Sequence, residues 1–497
     1  MENDLESIQE ARNLCERSHK AQITLAEFSQ EKIDSIVKAM EEAALSNAET
    51  LAEQAIDETK LGILEDKISK NRFAAENVYD YIKDIKTVGI IKEYPQRKVY
   101  EIAEPMGPIV GIIPMTNPTS TIIFKALIAV KSRNTIVFSP HPRAVKCSLK
   151  TTEILNEAVK KSGAPENTIQ CLSKVTIKGT DELMKHPYTG LILATGGSAM
   201  VTSAYSSGKP AIGVGPGNVP AFLEKSCDIK DAVTKIVKSK TFDKGTVCSS
   251  EQSVVCEESI DTEVKEEFKK KGAYFLSDEE KNSVEKVLFT SKGLPDPDIV
   301  GQSAQTIAKK AGFSVSDNVR LLIAEMDRVG EEFPLSKEKI SPILSYYTAA
   351  DWEKGCLRCI EILKLGGIGH TLVIHSKNED IIKEFALKKP AFRILVNTPS
   401  SQGAIGLSTG LTPSLTLGCG TWGGGITSDN VSPLHLINIK RLAYDIQSSQ
   451  TPETSTEEVL EKREPEQIEK PEPHLTDENI EKILREFIAE RKKKGYK

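Results

Sequence analysis

Between residues 108 and 217 short apolar runs alternate with amphipathic stretches, and this alternation restricts the fold more than any other feature of the chain. The runs PIVGIIP (108–114), TIVFSP (135–140), GLILATGG (190–197) and AIGVGPG (211–217) show no polar alternation. Short continuous apolar runs of this kind predict strands buried on both faces. The stretches 120–130, 143–161 and 198–207 predict the helices between them. Strand and helix in strict turn predict an α/β protein with parallel sheet. The pattern resumes after residue 230, with a helix over 228–240, a loop carrying Cys248, and strands at 253–256, 370–376 and 393–397. A second α/β domain follows from that repetition.

The flanks read differently. Residues 1–85 are helical in pattern, with Ile33, Ile36, Val37 and Met40 at helical spacing and few Gly or Pro before Gly62. Residues 87–101 turn to extended strand, through Val88, Ile90, Ile91 and Tyr94, and then Val99 and Ile102. The glycine-dense run TLGCGTWGGGITSDN (416–430) predicts a loop, and LHLINIKRLAY (434–444) a strand or helix. After residue 446 the chain becomes polar and rich in Glu and Pro, the composition of a flexible linker.

Composition excludes several classes. A net charge of -6 over 497 residues offers no basic field to nucleic acid. No 18-residue apolar run is present, so no membrane span is expected, and the acidic start MENDLESIQE has the character of neither signal nor transit peptide. Nine scattered cysteines are odd in number and too sparse for a disulfide framework, which points to a reducing cytoplasm. Cys356 and Cys359 form a C-x-x-C inside an amphipathic helical stretch without a second pair, so no metal site is expected there.

The chemistry centres on FDKGTVCSSEQS (242–253), where a small-residue loop between a helix and a strand presents Cys248. A thiolate adds readily to an aldehyde carbonyl, and the resulting thiohemiacetal is a good hydride donor. A lone cysteine is more often structural, but here the flanking motifs reverse those odds. Together with IIPMTNPTST (112–121), RNTIVFSPHPRA (133–144), ATGGSAMVTSAYSSGKPAIGVGPGN (194–218), EKISP (338–342), GHT (369–371) and SLTLGCGTWGGG (414–425), the motif resembles the aldehyde dehydrogenase superfamily. The closest likeness is to its CoA-acylating branch, and it extends from residue 1 to about 445.

That resemblance implies an aldehyde dehydrogenase-like fold of two parallel-sheet α/β domains. Residues 1–230 would bind the nicotinamide cofactor and 231–429 carry the catalytic thiol. Residues 430–445 would form an oligomerisation arm with the strands near 87–101, leaving 446–474 as linker and 475–497 as a tail helix. It implies a homo-oligomer that oxidises a short aldehyde, acetaldehyde by preference with propionaldehyde, succinate semialdehyde and sulfoacetaldehyde as the alternatives, using NAD (or NADP) and coenzyme A and no metal.

Cys248 becomes the nucleophile, and the Asn117 amide with the Cys248 N–H holds the oxyanion; such preorganised donors are worth about 3–4 kcal/mol. His370 sits near the acyl-transfer site as a proton acceptor. Thr195, Gly196, Gly197 and Ser198 approach the pyrophosphate at a helix start. Gly215 and Gly217 belong to the same cofactor region. Ser139, Pro140 and His141 contact the adenosine ribose, and Glu338 the nicotinamide ribose. Hydrolytic members place a water-activating glutamate where this chain has Gly213, so acyl transfer to CoA is expected over release of acid. The bifunctional relatives continue into an alcohol dehydrogenase half, which this sequence lacks, so reduction to the alcohol is not expected.

The tail has its own grammar. Thr476 is an N-cap, Asp477 and Glu478 suit the first turn, and Leu475 with Ile480 form a hydrophobic staple. Ile480, Ile483, Leu484, Phe487 and Ile488 share one face. A helix this short needs a surface to dock on. It is similar to the encapsulation peptides of bacterial microcompartments, and a shell or cargo protein is the expected partner of residues 475–491.

Overall fold

In the computed structural model the helical pattern of residues 1–85 resolves into four long helices, Glu2–Leu25, Gln30–Ser46, Ala48–Thr59 and Leu64–Arg72, with short turns beyond them. The structure describes residues 2–291 and 293–446. Ile33, Ile36, Val37 and Met40 are each at most 1% exposed, and they pack on Phe124 and Leu127 of the helix Pro118–Lys131. That helix lies wholly in the interior because it is covered on one side by these helices and on the other by a sheet.

Two strands, β1 (Gly89–Tyr94) and β2 (Val99–Pro105), pair antiparallel. The next five are β3 (Ile109–Ile112), β4 (Ile136–Ser139), β5 (Ile169–Cys171), β6 (Leu191–Thr195) and β7 (Ala211–Val214). They form an all-parallel sheet in the order β5-β4-β3-β6-β7. Seven more follow: β8 (Val219–Leu223), β9 (Glu251–Glu257), β10 (Ala273–Phe275), β11 (Leu321–Glu325), β12 (Ile343–Ala349), β13 (Gly369–His375) and β14 (Ala391–Val396). These make a second parallel sheet ordered β10-β11-β12-β9-β8-β13-β14. The last strand, β15 (Ile437–Ala443), returns to pair antiparallel with β2, completing a three-stranded arm.

The chain changes sheet at residues 215–218, between β7 and β8, ahead of the boundary expected at 230. β8 is hard to read because Pro220 sits in it, and proline normally argues against a central strand. The register with β9 shifts between Val219 and Pro220, which accommodates the missing donor. Residues 1–444 group as one compact unit. The expected linker and tail helix lie outside the described residues.

Candidate active site

The order of the first sheet locates a ligand crevice. Successive connections leave β3 in opposite directions, and in open α/β sheets ligands bind beyond the carboxyl ends of the strands at such a switch point. Asn117 follows β3, Ser139–His141 end and follow β4, Thr195–Ser198 end and follow β6, and Gly215 follows β7. All of these residues line a single cavity of about 760 Å³, whereas Gly217, also expected in the cofactor region, does not.

The second sheet faces this cavity with the amino-terminal ends of its strands. Cys248 comes from the loop before β9 and Glu338 from the segment before β12, and both line the same cavity. His370, at the start of β13, does not. It is fully buried behind Gly217, which separates its ring from the Cys248 carbonyl; a Cβ on Gly217 would lie 2.2 Å from that oxygen and 3.3 Å from His370 Cδ2. Gly217 therefore serves close packing, and its N–H donates to Glu338 Oε1 at 2.9 Å.

Other glycines behave differently. A Cβ on Gly197 or Gly215 would enter open space, and one on Gly196 would make only ordinary contacts with Met200. Nothing in the protein requires small residues there. A ligand brought close to the backbone at the start of the helix Ser198–Tyr205 does require them, so the cradle fits a dinucleotide pyrophosphate. Ser139 is committed within the wall, its Oγ 2.8 Å from Thr180 Oγ1, and the His141 ring accepts the Arg143 N–H.

Electrostatics around the thiol are dominated by burial. Burial pushes the Cys248 thiol up to about 12, and the charge of Glu338 adds to the shift. Glu338 is itself raised to about 7 by burial, against the pull of the Gly217 N–H, Lys240 and Lys339. Burial, with Arg393 nearby, lowers His370 to about 3, so its imidazole is neutral at pH 7. His370 Nδ1 lies 2.9 Å from Thr371 Oγ1, which accepts from Arg393 Nε at 3.3 Å.

The sequence reading did not reach several groups. Arg393 is buried and donates to Gly418 O at 2.6 Å, pinning the glycine-dense loop that carries Cys419. Lys240 and Glu251 are buried beside the thiol loop, and burial brings both to about 7. Lys67 and Lys70, from the helix Leu64–Arg72, converge on Asp243. A charged face on a helix normally reads as solvated surface, which hides such residues; only Asp243, inside the FDKGTVC motif, was within sight of the cysteine.

The chain belongs to the aldehyde dehydrogenase family: the sequence model described as "Aldehyde dehydrogenase family" matches residues 4–281, more than half of its length. Among its relatives, the bifunctional aldehyde-alcohol dehydrogenase of Escherichia coli is 46% identical over 442 residues, 88% of this chain and 50% of that protein. The chain thus spans about half the length of the bifunctional relatives it matches. The crystal structure of an acetylating aldehyde dehydrogenase from Geobacillus thermoglucosidasius superposes with a TM-score of 0.88 at 49% identity, covering 91% of this chain and 99% of that one. A propionaldehyde dehydrogenase from the fucose utilisation bacterial microcompartment of Clostridium phytofermentans gives a TM-score of 0.78 at 30% identity, with 86% and 96% covered. The α/β fold with two parallel sheets is that of the acylating aldehyde dehydrogenases. Among the described residues, no helix is long and apolar enough to cross a membrane and no metal-binding cluster occurs.

Proposed function

We propose that the chain is a CoA-acylating aldehyde dehydrogenase that converts a short aldehyde, CoA and NAD to acyl-CoA and NADH. The observation that carries this reading is the single cavity shared by Cys248, Asn117 and the open glycine cradle. The Cys248 sulfur adds to the aldehyde carbon as its proton passes to solvent in the cavity. Asn117 Nδ2 and the Cys248 N–H hold the oxygen as it becomes an oxyanion. Bound NAD supplies the acceptor for the hydride that leaves the same carbon. The acyl group then rests on Cys248 as a thioester until the CoA thiol attacks and the cysteine sulfur departs.

Two wall features favour CoA over water and acetaldehyde over an acidic aldehyde. Gly213 packs against Val201 and Tyr205 and brings no carboxylate to the cavity. Ile405, Leu415 and Leu417 form the apolar surface beside Cys248. The lysines lining the cavity among the described residues, Lys70 and Lys337, are paired with Asp243 and Glu331, leaving neither for the far acid of succinate semialdehyde or sulfoacetaldehyde.

At the adenosine end the cavity is lined by Ser139, Pro140, His141 and Thr180, and the neighbouring Arg143 is paired with Asp298 at 2.8 Å, which favours NAD over NADP. Glu338 keeps the nicotinamide ribose role that the resemblance implies. Burial keeps the His370 imidazole neutral behind Cys248, the form that takes a proton from the thiol of CoA in the role the resemblance implies.

The test is NADH formation from acetaldehyde with and without CoA. With CoA, turnover is sustained. Without it, a burst of about one NADH per site precedes very slow turnover. Sustained acid release without CoA would establish a hydrolytic enzyme instead.

Assembly and location follow as part of the proposal. The arm β1-β2-β15 exposes Ile90, Leu442 and Tyr444, which supports a homo-oligomer built through it. The stripe of residues 475–491 supports packaging in a microcompartment by a shell or cargo protein. A fusion of residues 446–497 to a fluorescent protein should co-purify with shells, and changing Leu484 and Phe487 together to Glu should release it. Equal packaging of that double variant would assign the tail another role.

A further inference from the structure

The amide of Asn117 has two faces, and only its NH₂ face stabilises an oxyanion. Which face meets the cavity is decided by a group outside all the motifs. Lys70 reaches Asn117 from the helix Leu64–Arg72, and its Nζ donates to Asn117 Oδ1. An ammonium has donors and no acceptor, so it must meet the amide oxygen and cannot meet the NH₂. The NH₂ is thereby turned away from Lys70, toward Thr116 Oγ1 at 3.0 Å and the carbonyl of Thr246 at 3.4 Å, on the wall that leads to Cys248.

Lys70 is in turn held in place. It is 4% exposed and pairs with Asp243 Oδ2, to which Lys67 Nζ also donates at 3.0 Å. The remaining Asp243 oxygen accepts the Ile63 N–H at 2.7 Å, and the Thr246 hydroxyl donates to Oδ2 at 2.7 Å. The Asp243 N–H donates to Asp66 Oδ2 at 2.7 Å. Asp243 adopts φ 47°, a left-handed backbone that a non-glycine residue keeps only when its surroundings over-determine it. Gly62 is obligatory here, since a Cβ would fall 1.9 Å from Asp243 Oδ1. One turn of helix thus fixes both the loop leading to Cys248 and the Asn117 amide in the wall of the same cavity.

We infer that Lys70, anchored by Asp243, is a positioning residue that sets the amide of Asn117 with its NH₂ toward the reacting carbonyl. The inference rests on the oxyanion role proposed above for Asn117. A purely structural Lys70 would lower activity whatever residue stood at 117, whereas a positioning Lys70 acts only through the amide. A double-mutant cycle separates the two.

The amplitude and rate of the NADH burst from acetaldehyde in the parent enzyme are established first by the experiment above, so a flat cycle overturns Lys70 and leaves the wider reading intact. Lys70→Met is expected to slow the burst about 30-fold, with the KM for NAD little changed, on the scale of a lost oxyanion donor. In an Asn117→Ala background the same change should slow it by less than about threefold. Lys70→Gln, which keeps a neutral donor for Oδ1, should return the rate to within about fivefold of the parent, and it supplies the comparison if Lys70→Met does not fold. An equal loss from Lys70→Met in both backgrounds, no loss in either, or a Lys70→Gln enzyme as slow as Asn117→Ala would overturn the inference.

Discussion

The two sheets meet at one cavity but equip it in opposite ways. The five-stranded sheet presents the carboxyl ends of β3, β4, β6 and β7, and its contribution is mostly backbone: open glycines, a helix start and short polar turns. The seven-stranded sheet presents strand starts, and around them Lys240, Glu251, Lys339 and Arg393 are buried and Glu338 is half-buried. A dinucleotide is recognised largely by shape and phosphate, which backbone N–H groups and a helix terminus satisfy. Acyl chemistry requires charge to appear and move at one carbon, which calls for fixed dipoles and titratable groups in a dry setting. The cofactor wall should therefore tolerate loss of the chemistry, and the catalytic wall loss of the cofactor cradle.

The largest effect that tests this division is at the thiol. Cys248→Ala should lower acyl-CoA formation by about 10⁴-fold or more while the NAD dissociation constant stays within about threefold. If NAD titration shows that binding is lost with the activity, the two walls do not act separately.

The reverse change is smaller. Gly197→Val puts a side chain into space that the protein leaves open. NAD affinity should fall about tenfold or more, with the melting temperature within about 2 °C of the parent, because nothing in the fold opposes the new group. Unaltered NAD affinity would take the glycine turn out of the cofactor site.

A third measurement probes the charge environment without a substitution. Because burial lifts the Cys248 thiol to about 12, the thiolate is the rare form at neutral pH and its fraction grows as pH rises. Inactivation of the cofactor-free enzyme by iodoacetamide should accelerate about tenfold per pH unit between roughly pH 7 and 10, without a plateau. A plateau near neutrality would mean that Arg393 or another cation outweighs burial.

The smallest effect concerns the region beyond both walls. Leu484→Glu with Phe487→Glu should leave kcat and KM within about twofold of the parent, because the stripe is proposed to bind another protein and no tail residue is among the groups proposed for the chemistry. A larger kinetic change would show that the tail docks on its own enzyme.

What was legible in the sequence was what repeats or what must be small. The runs at 109–112, 136–139, 191–195 and 211–214 became β3, β4, β6 and β7 because strands buried on both faces need uninterrupted apolar residues. Short or interrupted strands escaped: β10 has three residues, and β8 contains Pro220. Gly197 and Gly215, singled out by their glycine-rich turns, open on the same cavity that Cys248 lines, as the roles proposed for them require. The sequence could not distinguish Gly217, which packs between Cys248 and His370, from Gly215, which opens on the cavity. The resemblance placed His370 near the acyl-transfer site, and packing sets its ring behind Gly217 and keeps it neutral at pH 7.

The same holds for Lys70 and Asp243. Local sequence sets helix, strand and turn through periodicity and backbone freedom, whereas a buried charge is tolerated only where partners from distant segments close around it. Lys67 and Lys70 look like the solvated face of an ordinary helix until Asp243 folds onto them. The tertiary structure alone decided that this face would lie against Asn117, because the desolvation that makes such a lysine useful is produced by contacts no single segment contains.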